Sequence, residues 1–189
     1  METQTFSKEE KEEIIRYGLD RIKSICTMTF VTLLMGCIFQ VFFQSIIFLV
    51  CFIALRKYAG GYHADTQNRC YVISTAIIAV ALLAIRYMSD GSDNEIFILL
   101  QSLNFILLYF LVPVDNKNHR LEQWEKEKYG KKARVRIGCM YVLCIFLNFT
   151  AIRSIAITVG VTNLTVGGCV IVGKIKNFVF LKATSCIYS

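Results

Sequence analysis

The sequence predicts an all-α polytopic membrane protein, and three observations support this class. Hydrophobic residues make up 55% of the 189 residues, compared with roughly 45–50% in soluble domains. The mean hydropathy is positive, at +0.51. The apolar residues lie in long uninterrupted blocks, which suit helices surrounded by lipid, because every backbone polar group must be satisfied within its own segment. We therefore expect a single membrane domain, 1–189, with about six transmembrane helices.

An amphipathic interfacial helix is predicted over residues 7–22. Ser7 and Glu10 fit a capping box at its start. Its apolar side consists of Ile14, Ile15, Leu19 and Ile22. One apolar side on an otherwise charged helix favours a position in the membrane interface. An ordinary lead-in helix in the cytoplasm would show the same pattern, so both interpretations stay open.

The next element is an almost unbroken apolar run over residues 24–55. As a helix it would be about 48 Å long, since each residue adds about 1.5 Å. That length is too great for one crossing of a hydrocarbon core of about 30 Å, and short for two crossings. We therefore expect a helical hairpin, either short or re-entrant, that turns near Gly36 to Gln40.

Four further apolar segments are each long enough for about one crossing. They are 71–88, 96–114, 137–152 and 154–173. Only Arg153 separates the last two segments, which predicts a tight helical hairpin between them. Together with the two arms of the first hairpin, these segments give a bundle whose two termini lie on the same side of the membrane.

Charge placement predicts the orientation of this bundle. Residues 115–136, expected to be a basic loop, carry eight Lys and Arg, and residues 56–70 carry three, whereas 89–95 contains only acidic charges. The positive-inside rule therefore places both basic segments and both termini in the cytoplasm. The net charge of +7 is explained in the same way, as a topology signal and a contact with anionic lipid. No nucleic-acid partner is expected.

The eight cysteines show neither CxxC pairs nor the Cys/His spacing of a zinc site. Most lie in or beside apolar segments, where a free cysteine behaves as a small hydrophobic residue. Neither a metal ion nor an organic cofactor is expected. Cys70 differs from the others, because it opens the predicted helix 71–88 next to Arg69. The helix dipole and the adjacent cation both favour its thiolate form.

The segment 56–70 is predicted to be a cytoplasmic catalytic segment, because it places His63 seven residues before Cys70. A thiolate can attack a carbonyl while an imidazole manages the proton. On one continuous helix the two Cα atoms would be about 10.5 Å apart, too far for direct proton transfer. A break is therefore required, and Gly60-Gly61 supplies flexibility just before the histidine. The alternative interpretation is a simple turn between two helices.

Three further residues are candidates for supporting roles in such a site. Asp65 and Asp115 are the acidic residues best placed to orient an imidazole. Arg56 is a candidate for binding a substrate carboxylate or stabilising an oxyanion. Each has an alternative role as an ordinary surface charge or, for the arginine, as a charge that sets the topology.

Two motifs make the chain recognisable. The run RKYAGGYHA at residues 56–64, with Cys70 seven residues after the histidine, resembles the AgrB family, the accessory gene regulator B membrane peptidases of Gram-positive bacteria. The run PVDNK at residues 113–117 is also similar to that family's pattern. Chain length, basic loops and six apolar segments agree, so the resemblance covers most of the chain.

The resemblance implies a membrane cysteine endopeptidase that trims an AgrD-type propeptide at its C-terminal side. It implies that Cys70 is the nucleophile and His63 its general base. The remaining supporting or substrate-binding candidates are Arg56, Gly60, Gly61, Asp65, Asp115 and Lys117. The implied course passes through a thioester-linked enzyme, which a thiol or hydroxyl of the propeptide captures to give a cyclic peptide. No cofactor is required, and the implied location is the cell membrane of a Gram-positive bacterium.

Two other functions are compatible with the sequence. One is a non-catalytic peptide exporter or scaffold in which 56–70 is a binding loop. The other is a small-molecule transporter, which is disfavoured because no acidic residue lies deep inside an apolar segment. A homodimer is plausible by analogy with the family alone.

Overall fold

The computed structural model describes residues 8–59, 67–89, 94–112, 123–150 and 152–187. All regular structure in these ranges is α-helical, which confirms the predicted all-α class. The six helices are α1 (Lys8–Ile38), α2 (Phe42–Ala59), α3 (Gln67–Met88), α4 (Asn94–Leu111), α5 (Gln123–Asn148) and α6 (Arg153–Ile187).

Several of these helices are suited to a bilayer. Three stretches are long and apolar enough to cross one: Phe42–Ala59, Asn68–Met88 and Arg153–Lys176. Shorter apolar stretches occur in α1, over Ile22–Ile38, and in α4, over Glu95–Leu111. Large apolar side chains point outward from the bundle; Phe43 is 77% exposed and Phe110 is 73% exposed. Exposed apolar surface on this scale needs lipid around it, so the chain is a multi-pass membrane protein.

A tight turn joins α1 to α2. The Val41 amide donates to the Gly36 carbonyl over 2.8 Å, and the Gln40 amide donates to the Cys37 carbonyl over 3.2 Å. This is the hydrogen-bond pattern of a Schellman ending, with Gln40 as the left-handed residue at φ 60°. Gly36 is not the turn residue; it lets α2 approach, because a Cβ there would collide with the side chain of Ser45.

Replacing Gln40 by glycine is expected to stabilise the fold by about 1 kcal/mol, because a residue with a Cβ is strained in the left-handed region and glycine is not. Gln40→Ala keeps the Cβ and serves as the matched control, with no expected gain. The free energy of unfolding in mixed micelles, followed by SDS titration, measures both variants. Equal stabilities for the two variants would show that the turn stores no such strain.

Helix α6 occupies the centre of the bundle and contacts α2, α3, α4 and α5. Two hydrogen bonds define helix directions: Gln44 Nε2 donates to Ser154 Oγ over 3.0 Å, and Asn104 Nδ2 donates to the Asn163 carbonyl over 2.9 Å. The first joins the starts of α2 and α6. Gly160 lies against Phe97 and Gly167 against Asn104, so α4 and α6 also run in the same direction. The even-numbered helices are therefore parallel to one another, and the odd-numbered helices run against them.

One end of the bundle holds a compact apolar cluster where α2 and α4 finish and α5 enters. Its buried members are Leu55, Ala59, Leu108, Val112, Ala133, Ile137, Val166 and Val170. Helices α1 and α6 have 31 and 35 residues, or about 46 and 52 Å, which exceeds a hydrocarbon core of about 30 Å. Since α6 continues beyond this cluster, its extra length projects on the side where α2 finishes.

The structure differs from the sequence prediction in several element bounds. The predicted surface helix 7–22 is not separate, because Lys8–Ile38 is one helix; no proline or glycine pair interrupts it after residue 22. The predicted loop 115–136 is helical from Gln123 onward. The spacing of Glu127 and Lys131, four residues apart in that order, favours a helix over this part of the chain.

The last helices also have different ends from those predicted. Helix α4 ends at Leu111 and not at 114, because Pro113 restricts the residue before it to extended conformations. Helix α6 continues to Ile187, well past the predicted end at 173. The stretch that is apolar enough to cross a membrane stops at Lys176, so residues 177–187 extend the helix past that stretch.

Candidate active site

The described part of the candidate site lies where α2 finishes and α3 begins. Arg56 is in the last turn of α2 and Cys70 is in the first turn of α3. The two helices are joined by residues 60–66, which lie outside the described residues. The candidates that fall outside are Gly60, Gly61, His63, Asp65, Asp115 and Lys117. The structure thus brings Arg56 and Cys70 to one end of the bundle, and the places of the others stay predictions.

Cys70 is half-buried, and its Sγ lies 4.0 Å from the Ser74 Oγ one turn later. Helix α3 starts at Gln67, four residues earlier than the predicted start at 71, so the thiol still falls in the first turn. The next residue, Tyr71, is hydrogen-bonded through its hydroxyl to Ser24 Oγ of α1 over 2.7 Å. The start of α3 is therefore held against α1, while the Cys70 thiol remains partly exposed at the surface.

The other cysteines of the described ranges have different surroundings. Cys51, Cys144 and Cys169 are buried, and Cys26, Cys37 and Cys139 are exposed. The exposed ones lie on helices with outward-facing apolar residues, and the buried ones face neighbouring helices. In the same ranges, no group of three or more His, Cys, Asp or Glu could hold a metal ion.

Arg56 packs along its own helix. Its guanidinium carbon lies 5.5 Å from the centroid of the Phe52 ring, one turn earlier, in a cation–π arrangement. That ring stacks on Phe48 with centroids 5.5 Å apart. The arginine is half-buried, and its guanidinium lies against an aromatic ring one turn before the end of α2. Its role towards a substrate stays a prediction.

The end of α2 is held by a residue of α5 that the sequence did not point to. Arg136 Nη1 donates to the Ala54 carbonyl over 3.0 Å. The same guanidinium lies over the ring of Tyr58, with its carbon 4.0 Å from the centroid. Tyr58 also meets the ring of Tyr129, at 6.2 Å between centroids. Tyr58 belongs to the run RKYAGGYHA, so the part of the motif that lies on α2 is anchored to α5.

A helical stripe in the sequence marks the face of α5 that makes this contact. Tyr129, Ala133, Arg136 and Ile137 are spaced i, i+4, i+7 and i+8, which places them on one face of a helix. The boundary between the predicted loop 115–136 and the predicted segment 137–152 divides this stripe, so the prediction does not include it. The partner of this face, position 58 on α2, cannot be inferred from a single sequence.

We call this end of the bundle the basic end, because its exposed charged residues are mainly cations. They include Lys57, Arg69, Lys131, Lys132 and Arg134. Glu127 is an exposed acid near them on α5. A surface of this charge attracts anionic groups, such as lipid phosphates and peptide carboxylates.

These features define a class: a multi-pass helical membrane protein with a half-buried thiol at its basic end. The family model of Accessory gene regulator B matches residues 1–182. The chain belongs to the AgrB family, as its motifs predicted. Membership associates it with processing of the autoinducer propeptide of the accessory gene regulator system, in a membrane.

Two relatives from Clostridium perfringens support this assignment. "Putative AgrB-like protein 2" of strain 13 is 30% identical over 156 residues, covering 78% of this chain and 73% of the relative. "Putative AgrB-like protein" of strain SM101 is 28% identical over 144 residues, covering 74% and 67%. No solved structure gives a significant match.

Proposed function

We propose that this protein is an integral-membrane cysteine endopeptidase that cleaves an AgrD-type propeptide at its C-terminal side. The observation that carries the proposal is the position of Cys70, a half-buried thiol in the first turn of α3 at the basic end. His63 precedes it by seven residues in the connection from α2. By the positive-inside rule the basic end faces the cytoplasm, where a newly made propeptide is available. The host is a Gram-positive bacterium.

The proposed reaction begins with attack of Cys70 Sγ on the carbonyl carbon of the scissile peptide bond. His63 takes the thiol proton and then gives it to the leaving nitrogen. The C–N bond breaks, the C-terminal tail leaves as a free amine, and the remaining propeptide is held as a thioester on Cys70. Arg56 is suited to bind a carboxylate or the oxyanion, since guanidinium–oxyanion hydrogen bonds are strong.

A nucleophile within the bound propeptide then completes the sequence. A cysteine thiol or serine hydroxyl of the peptide attacks the thioester carbonyl and releases Cys70 as a thiol, giving a cyclic thiolactone or lactone. Capture by a thiol replaces one thioester with another, so it is nearly thermoneutral. Removal of the tail or export of the product is therefore required to drive it.

Mass spectrometry of an AgrD-type propeptide co-expressed with the protein tests the proposal. Wild-type protein and Cys139→Ala, whose cysteine is exposed on α5, are expected to release one defined C-terminal fragment. Cys70→Ala and His63→Ala are expected to release none. The same fragment from all four would mean that another protease acts on the peptide, and a non-catalytic exporter or scaffold would then be the better account.

A further inference from the structure

We propose that α5 carries a binding site for one anionic phospholipid, with its acyl chain in an apolar groove and its phosphate beside Lys131 and Lys132. By the positive-inside rule this end of the bundle faces the cytoplasm, so the lipid belongs to the cytoplasmic leaflet. The inference is independent of the proposed function, because it uses neither Cys70 nor the connection 60–66.

The groove follows the side of α5 that faces away from the other helices. Val135, Gly138, Val142 and Phe146 are among the residues that line it, and its volume is about 620 Å³. They are spaced i, i+3, i+7 and i+11, which places them on one face of the helix. The three larger side chains are 65%, 64% and 66% exposed. Gly138 has no side chain, so the floor of the groove stays open between them.

The length of the groove matches one leaflet of a bilayer. From Val135 to Phe146 the helix rises about 16 Å, at about 1.5 Å per residue. Half of a hydrocarbon core of about 30 Å is about 15 Å. A groove of this length suits an acyl chain that enters from one side of the membrane and ends near the midplane.

Two lysines lie at the end of the groove nearest the start of α5. Lys131 and Lys132 precede Val135 by four and three residues, which places both one turn earlier on the same helix face. Both are exposed, and a lysine at such a position lays its stem along apolar surface while its ammonium reaches the headgroups. Glu127 lies a further turn away, so the first charges beyond the groove along this face of α5 are positive.

The neighbouring Arg134 is directed towards a different helix. Its Nε donates to the Tyr109 carbonyl over 3.2 Å, and its guanidinium carbon lies 5.3 Å from the centroid of the same residue's ring. Arg134 therefore contacts the end of α4 and adds a general positive potential to the basic end. The charges placed directly above the groove are those of the two lysines.

Charge favours an anionic lipid over a second copy of the chain as the occupant. Two copies in one membrane have the same orientation, so a symmetric pair formed through this face would bring two lysine pairs together at the same depth. Like charges that meet in this way oppose association. An anionic phospholipid instead supplies the opposite charge at the depth of the lysines and an apolar chain below it.

Photocrosslinking of the full chain in nanodiscs tests the site. Phosphatidylglycerol and phosphatidylcholine with the same diazirine-bearing acyl chain are compared as minor components of a phosphatidylcholine bilayer, and peptide mass spectrometry maps the adducts. The outward face of α3 around Val80, which is 68% exposed, is the reference within the same chain. Each lysine near the surface favours anionic lipid by about fivefold. Residues 135–146 should therefore show a phosphatidylglycerol enrichment on the order of tenfold.

Two charge variants test whether the position of the lysines matters. Lys131→Gln with Lys132→Gln is expected to reduce the enrichment to at most about twofold. Lys57→Gln with Lys174→Gln is the matched control, because it removes the same charge from exposed positions on α2 and α6 at the basic end. This control is expected to keep the wild-type enrichment over residues 135–146.

A third variant tests the groove without changing any charge. Gly138→Leu fills the floor while both lysines remain, and it is compatible with the fold, because a Cβ there would lie 3.9 Å from the Phe105 ring, an ordinary contact. It is expected to reduce the enrichment over residues 135–146 by at least about threefold, since displaced acyl chains lose their apolar contacts.

Several results would overturn the proposal. Equal labelling of the groove by the two lipids in wild type would show that it has no preference for an anionic headgroup. Equal losses in the two charge variants would assign the attraction to the basic end as a whole, and full enrichment in Gly138→Leu would exclude the groove. Protection from both lipids in discs that hold two chains, with equal labelling in discs that hold one, would assign the groove to a second copy.

Discussion

Cys70→Ser and His63→Ala are each expected to lower the rate of propeptide tail release by at least about a thousandfold. A serine hydroxyl is not ionised at neutral pH and is a far weaker nucleophile than a thiol in the same place. Without His63, the connection 60–66 has no imidazole to take the proton and return it to the leaving nitrogen. The rate of tail release from a synthetic propeptide, with protein in nanodiscs, measures both effects.

The double variant distinguishes a catalytic pair from two independent contributions. Residues that act as one unit are strongly non-additive, so the double variant should be about as slow as the slower single variant. Cys139→Ser is the control, since Cys139 is exposed on α5, and its rate should equal that of wild type. Additive losses from Cys70→Ser and His63→Ala would argue against a shared step.

Gly167→Ala is expected to have the largest effect on stability, a loss of about 2 kcal/mol, as is typical of overpacking in a close interface. A Cβ on Gly167 would collide with the Asn104 side-chain amide, whose Nδ2 donates to the Asn163 carbonyl. The amide cannot move away without breaking that bond, which joins α4 to the central helix α6. Close approach over small residues is a common way for membrane helices to pack.

Gly168 supplies the matched control for this substitution. It is exposed, and a Cβ there would meet nothing within 4 Å. Gly168→Ala is therefore expected to be neutral or slightly stabilising, because alanine is the better helix former. Free energies of unfolding by SDS titration measure both variants. If Gly167→Ala is as stable as Gly168→Ala, the α4–α6 contact does not depend on the glycine.

The sequence is a good guide to features that are local or compositional. Long apolar blocks predict membrane helices because lipid requires them, and the all-α class follows. The run 56–64 with Cys70 identifies the family because the residues that carry the resemblance lie within fifteen positions. The turn between the first two helices can be placed near Gln40 because only a few residues near it, such as Gly36, favour a break.

Other features could not be predicted because they depend on helix boundaries and on distant contacts. Hydropathy marks where a helix leaves lipid, and not where it ends. The polar first turns of α1 and α5, and the continuation of α6 past Lys176, therefore could not be predicted from it. The pairing of Arg136 with Tyr58 joins residues on α5 and α2 that no local pattern connects. The polar contact of Asn104 with α6 requires the parallel arrangement of α4 and α6, which follows from packing alone.

The most direct measurement is the intact mass of the protein after brief mixing with a propeptide and quenching in acid. The thioester mechanism predicts a species heavier than the protein by the mass of the propeptide minus its released tail. The added mass should map to Cys70, disappear on treatment with hydroxylamine, and be absent from Cys70→Ala. Tail release without such a species in any time window, or a covalent adduct on another residue, would contradict Cys70 as the nucleophile.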